Sequence, residues 1–183
     1  MAFLIVGVII FILVIACVAK YNKMIRYRNK VKESLRLIDI HLQLRFDLIP
    51  NLVETVKGYS KHEYSIFSEL INARKSALKE TDEKKKIEYA NEMLPNMRRV
   101  IAIAEEYPEL KSDVLYKDLM EELVAIEDKL AASRRFYDSN VSEYNTLITV
   151  FPNSVIANLF NFKECELFKI DVGENFSMKF NKE

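Results

Sequence analysis

MAFLIVGVIIFILVIACVA, residues 1–19, is followed twenty-five residues later by RFDLIPNLVETVKGYSKHE, residues 45–63. The first stretch has no charge, and as a helix it spans about 28 Å at 1.5 Å per residue, close to the hydrocarbon thickness of a bilayer. In the second, charged, amide and aromatic side chains interleave with apolar ones at helical spacing. Read together they predict a membrane-spanning helix leading into a helical domain, and the rest of the chain agrees with them.

Three glycines and four prolines in 183 residues leave few tight turns. Average glycine usage is about 7%, and Gly7 already lies in the apolar run. Such a composition predicts long helices with few connections. Lys plus Arg and Asp plus Glu both number 27, so no basic excess supports nucleic acid as a ligand. The two cysteines, Cys17 in the run and Cys165 near the C-terminus, form neither a metal set nor a plausible disulfide.

Nothing basic precedes the apolar run, unlike a cleaved leader. Val14-Ile15-Ala16-Cys17 has the look of a bacterial lipobox. The absent basic n-region and the basic segment that follows both count against lipidation there. Lys20, Lys23, Arg26, Arg28, Lys30 and Lys32 come next, with no acid before Glu33. By the positive-inside rule this flank stays in the cytoplasm, with the N-terminus outside. Each cation near the surface attracts anionic headgroups with about 1 kcal/mol. The expected division is an anchor at 1–19, a cytoplasmic helical bundle at 20–168, and a loosely packed or disordered tail at 169–183.

Met24, Val31, Leu35, Ile38, Leu42 and Ile49 form one seam that continues the anchor helix. Arg28 and Arg45 fall on this seam, and a core-edge arginine needs a carboxylate or carbonyl partner. Asp47 before Pro50 allows either a bend with a capped new helix or a Pro50 kink in one long helix. The first is favoured, because proline is tolerated in a first turn and costs a hydrogen bond in an interior. The spacing of Leu52, Val56, Tyr59, Ile66, Leu70, Ala73 and Ala77 carries that helix from about 48 to 77. LKETDEKKK, residues 78–86, reads as a loop. Ile87 to Ala104 outline a third helix that Pro95 kinks or starts, and Pro108 favours extended backbone at Tyr107. From 112 to 150 the three-and-four pattern is unbroken and predicts a helix of about 55 Å. Its later half is polar on the seam, at Ser133, Tyr137, Asn140 and Tyr144, and these groups need partners. The similarly polar 45–63 stretch is the expected source. Residues 155–162, VIANLFNF, read as a short helical lid.

The 45–63 stretch, Asp39, Ala73-Arg74, AEEYPELK at 104–111, Arg135-Phe136-Tyr137, Tyr144-Asn145 and Phe151-Pro152 together resemble the LemA family of bacterial membrane-anchored proteins. The resemblance runs from about Lys20 to Phe168. It implies an all-α fold, an antiparallel bundle of about four long helices behind one membrane span. It brings no agreed enzymatic activity and no established ligand, so it leaves the function open, and no cofactor is expected.

No residue pattern contradicts that. His62-Glu63 is not His-Glu-x-x-His, since Tyr64, Ser65 and Ile66 follow. Glu54 and His62 stand two helical turns apart, too far to share a metal. A hydrolase would have to rest on His62 and a carboxylate alone. Arg134 and Arg135 have the chemistry to clamp a carboxylate or phosphate, with Glu54, Asp47 or Glu105 as the simpler partners. The candidate interaction or bracing cluster is therefore Arg45, Asp47, Asn51, Glu54, Lys57, Tyr59, His62, Arg135, Tyr137, Tyr144 and Asn145, with Lys20, Lys23, Arg26 and Arg28 at the membrane. The expected role is a non-enzymatic scaffold on the inner membrane that binds a protein partner or its own copies. The alternative is an adaptor or sensor for an envelope-stress or proteolytic system.

Overall fold

The computed structural model describes residues 1–60 and 63–168. Among the described residues every regular element is a helix: α1 Ala2–Lys57, α2 Tyr64–Lys79, α3 Glu83–Glu92, α4 Leu94–Glu105, α5 Pro108–Ser112, α6 Val114–Thr149 and α7 Asn153–Leu159. The expected all-α architecture is present, with one long apolar N-terminal helix followed by several others. The expected tail at 169–183 lies outside the described residues.

The anchor run and the first seam form a single helix of 56 residues. Pro50 does not start a new helix, contrary to the expectation from Asp47; α1 passes through it and ends at Lys57. The reason is tertiary. Proline removes the N–H that would pair with the carbonyl four residues back, and here that carbonyl, of Phe46, accepts from Arg74 Nε of α2. The break comes later, so the expected helix from 48 to 77 is two helices. Tyr59, expected on its seam, is exposed.

The expected loop at 78–86 shrinks to three residues, because α2 runs to Lys79 and α3 begins at Glu83. Asp82 caps α3, its side chain accepting from the Lys85 N–H at 3.0 Å. Pro95 lies in the first turn of α4, where its missing N–H costs nothing. Tyr107 is extended, at φ −113° and ψ 96°, and Pro108 opens the short α5 that the sequence reading lacked. Asp113 then caps α6, accepting from the N–H of Leu115 at 2.7 Å and of Tyr116 at 3.3 Å.

The chain forms two compact units. One is Arg36–Ala132. Its core takes Ile38, Leu42, Phe46, Ile49, Leu52 and Val56 from α1 and Leu119, Leu123, Ile126 and Leu130 from α6. Phe67, Leu70, Met93, Met97, Val100 and Leu110 complete it, with α2 packed on α3 and α4.

The other unit joins Met1–Leu35 to the described residues 133–168. Met24 and Val31 are buried on its α1 segment, and Ser133, Tyr137, Asn140, Val141, Tyr144 and Ile148 on its α6 segment. After α7 the chain reverses through Asn161, whose φ is 55°. Asparagine tolerates this left-handed conformation. The Phe162 N–H reaches the Ala157 carbonyl at 2.9 Å and the Asn161 N–H that of Asn158 at 3.3 Å, the paired bonds of a Schellman helix end. Residues 162–168 that follow are not helical, although the Cys165 region reads as helix-like in sequence.

Candidate functional site

Two polar constellations emerge, one in each unit. The first centres on Arg45, whose side chain is 0% exposed. Its Nη1 donates to Glu127 Oε1 at 2.9 Å and its Nη2 to the Ala90 carbonyl at 3.2 Å. Three helices, α1, α3 and α6, thus converge on one guanidinium. Glu127 is nearly buried itself, and a charged hydrogen bond in such a place is stronger than in water.

Asp47 lies on the open side of α1. It accepts from Gln43 Nε2 at 3.0 Å and stands 3.7 Å from Arg74 Nη2. Arg74 therefore touches α1 twice, at the Asp47 carboxylate and at the Phe46 carbonyl. On the same helix Asp39 pairs with Lys86 at 2.6 Å. Asn51, Glu54 and Lys57 are exposed, with Lys57 Nζ 5.6 Å from the Tyr64 ring. The Tyr59 hydroxyl donates to Asp113 Oδ2 at 3.4 Å on an exposed surface, not to a buried partner. Partial desolvation of the hydroxyl, then the Asp113 charge and hydrogen bond and the Glu109 charge, raise its pKa although the residue stays exposed. His62 lies outside the described residues.

The second constellation is the polar half of α6. Tyr137, Tyr144 and Asn145 find hydrogen-bond partners in the backbone of residues 163–168, where the 45–63 stretch was the expected source. Tyr144 Oη donates to the Lys163 carbonyl at 3.0 Å, and Tyr137 Oη to the Glu166 carbonyl at 3.2 Å. Asn145 makes both bonds to one residue: its Nδ2 donates to the Cys165 carbonyl at 2.8 Å, and its Oδ1 accepts from the Cys165 N–H at 2.9 Å. Asp138 accepts from the Phe168 N–H at 2.9 Å, and the Phe168 ring meets Tyr137 edge-on at 4.8 Å. The side chains of α6 hold residues 163–168 as a non-helical strap, satisfying main-chain groups that a helix would have satisfied internally. Desolvation raises the Tyr144 pKa, with Cys165 adding to it and Arg28 opposing. Arg135 is exposed on α6 and takes no part in the strap bonds.

The basic flank of the apolar run is open, except that Lys20 is half-buried. Lys23 and Lys30 lie 5.8 and 4.8 Å from the Tyr27 ring centroid. The Arg28 guanidinium covers the Phe162 ring at 5.3 Å, which explains an arginine on an apolar seam. Among the described residues no three His, Cys, Asp or Glu side chains converge as metal ligands do.

The sequence reading lacked roles for Arg74, Glu127, Asp138 and the strap. Arg74 had one available signal: Pro50 within a helix-patterned stretch calls for a donor at the Phe46 carbonyl. Glu127 and the strap had none, because their partners are remote in sequence.

The profile of the LemA family matches residues 34–180. Magnetosome protein MamQ of Magnetospirillum gryphiswaldense is 26% identical over 81% of this chain and 64% of that protein. Magnetosome protein MamQ 2 of Paramagnetospirillum magneticum is 26% identical over 82% of this chain and 65% of its own length. Protein LemA of Metamycoplasma hominis is 24% identical over 85% of this chain and 74% of its own. The chain thus spans under two-thirds of the length of the MamQ proteins it matches.

Proposed function

Because the chain belongs to the LemA family, we propose that it is a membrane-anchored, non-enzymatic helical scaffold that presents its helices to a protein partner or to further copies of itself. The observation carrying this reading is α1. One unbroken helix bears an exposed apolar run long enough to cross a membrane and, farther along, the buried Arg45 that ties three helices together. The polar residues that stood out in sequence support it in a second way. Arg45, Tyr137, Tyr144 and Asn145 are engaged in holding the fold, which is the work of bracing. That leaves Asp47, Asn51, Glu54, Lys57, Tyr59 and Arg135 as the exposed polar groups of the cluster for recognition.

The charge order around the run supports a cytoplasmic location for the helical units, with the anchor single-pass and the N-terminus outside. Cross-linking in intact membranes, followed by native electrophoresis, tests the scaffold. The expected result is a discrete ladder or a captured partner; a strictly monomeric protein with nothing attached overturns the proposal. Labelling of single introduced cysteines at either end of α1 tests the orientation.

A further inference from the structure

Residues 150–162, VFPNSVIANLFNF, contain no charged side chain in a chain that is 30% charged. α7 within this stretch buries only Asn153 and Ala157. Phe151 is 84% exposed, Val155 60%, Leu159 74% and Phe160 50%. Val155 and Leu159 are four apart and share one face of α7. Large apolar side chains this close together form a patch, and patches mark contact surfaces where scattered exposure does not.

What the patch faces is indicated by its neighbour. The Tyr21 ring lies 4.8 Å from that of Phe160 and 5.6 Å from that of Phe162. Tyr21 comes two residues after the apolar run, where an aromatic ring settles at the headgroup level of a bilayer. Packing along α1 begins at the same place. Residues 2–16 are exposed, Cys17, Lys20 and Tyr21 are half-buried, and Met24 is buried. The exposed apolar surface of α7 is therefore continuous with the end of the span, beside the exposed cations Lys23, Arg26 and Arg28.

We infer that α7 and its flanking phenylalanines are a second membrane contact, with Phe151, Val155, Leu159 and Phe160 entering the boundary between headgroups and acyl chains of the leaflet where α1 leaves the bilayer. The inference rests on α1 spanning the membrane. Short apolar elements that lie in the interface bind by buried apolar area, and adjacent cations add attraction to anionic lipid. This contact gives the unit a second point on the bilayer besides the anchor itself.

The chain has no tryptophan, so a single introduced one reports its own surroundings. Leu159→Trp, Ile10→Trp and Val114→Trp are each placed in the full chain and reconstituted into vesicles of phosphatidylcholine and phosphatidylglycerol, with or without brominated acyl chains. Val155→Trp is a second reporter on α7, and circular dichroism verifies the helical content of each. Brominated lipid is expected to cut emission roughly twofold or more for Leu159→Trp, Val155→Trp and Ile10→Trp, and to leave Val114→Trp unchanged. Quenching at Ile10 with none at either α7 position overturns the inference while the anchor stands. Equal quenching at Val114 also overturns it. So does α7 emission that ignores bromine but changes as protein is diluted in the lipid, since a second copy then covers the patch. No quenching at Ile10 removes the anchor and the inference together.

Discussion

Arg74 donates from Nε to the carbonyl of Phe46, the group that Pro50 deprives of its helical N–H. A side chain of α2 thus completes the hydrogen bonding of α1 at the point where its local sequence would end it. The same arginine stands 3.7 Å from Asp47, but that carboxylate is largely exposed and such a pair contributes only about 0–1 kcal/mol.

Arg74→Ala is therefore expected to destabilise by about 1–3 kcal/mol, the cost of an unsatisfied buried acceptor. Asp47→Ala should cost less. In a Pro50→Ala background the restored N–H takes over, and the penalty for Arg74→Ala should shrink. Urea unfolding followed by circular dichroism, arranged as a double-mutant cycle, measures this. Equal penalties in both backgrounds would show that Arg74 acts through something other than the Phe46 carbonyl.

Arg45 and Glu127 form the deepest ion pair described, at 2.9 Å. Removing the carboxylate by Glu127→Ala strands a buried guanidinium and is expected to cost about 3–5 kcal/mol. Replacing both by Met and Leu should cost much less, since two charges then escape desolvation together. The comparison of unfolding midpoints for the single and double variants checks the sign.

The two hydrogen bonds between the Asn145 side chain and the Cys165 backbone predict a local effect. Asn145→Asp keeps the acceptor and sets a charge against the Cys165 carbonyl. Strap residues 163–168 should then open while the helices persist. Native-state hydrogen exchange should show faster exchange at the Cys165 and Phe168 amides, with α6 protection little changed. Unchanged protection at both amides would mean that Tyr137 and Tyr144 hold the strap without Asn145.

Burial, with Glu105 adding to it, pushes the Tyr116 pKa up to about 12, and burial raises that of Tyr144. Both phenols hold their protons more tightly when folded than when unfolded. Their contribution is fully present below the ordinary tyrosine value of about 10. It is lost as pH rises from there through the folded pKa, by at most about 1.4 kcal/mol per pH unit for each group. Stability should fall between about pH 10 and 12, and Tyr116→Phe should flatten that fall. Midpoints of denaturant unfolding across this range provide the measurement.

Much of the helical content was legible because it is written locally. Pro95 and Pro108 sit where proline chemistry allows, at helix first turns, and Tyr107 is extended ahead of Pro108. The three-and-four pattern from 112 to 150 corresponds to α6, although Leu115 at its start is exposed and Ile148 replaces Leu147 in the core. At Tyr59 the same kind of pattern misled. Helical spacing carries on through 58–63, yet the helix ends at Lys57, and past that point spacing no longer says which way a side chain faces.

The candidate site was legible as composition and not as pairing. That Arg45 and the α6 tyrosines need partners follows from their polarity at seam positions. Which partners they find does not. Arg45 meets Glu127 and Ala90, and Tyr137, Tyr144 and Asn145 meet the backbone of the strap. Main-chain carbonyls are the same at every residue, so no side-chain pattern at 163–168 advertises them as acceptors.

The amino-acid sequence by itself determined that this protein is helical, that its N-terminal run can cross a membrane, and that polar groups enter its seams. Those properties arise from glycine and proline scarcity, hydropathy and spacing, all of which act over a few turns of chain. Only the tertiary structure decided that α1 continues through Pro50 and that α6 braces a strap. Both outcomes depend on donors and acceptors brought together from distant parts of the chain, where the cost of an unpaired buried group selects the partner.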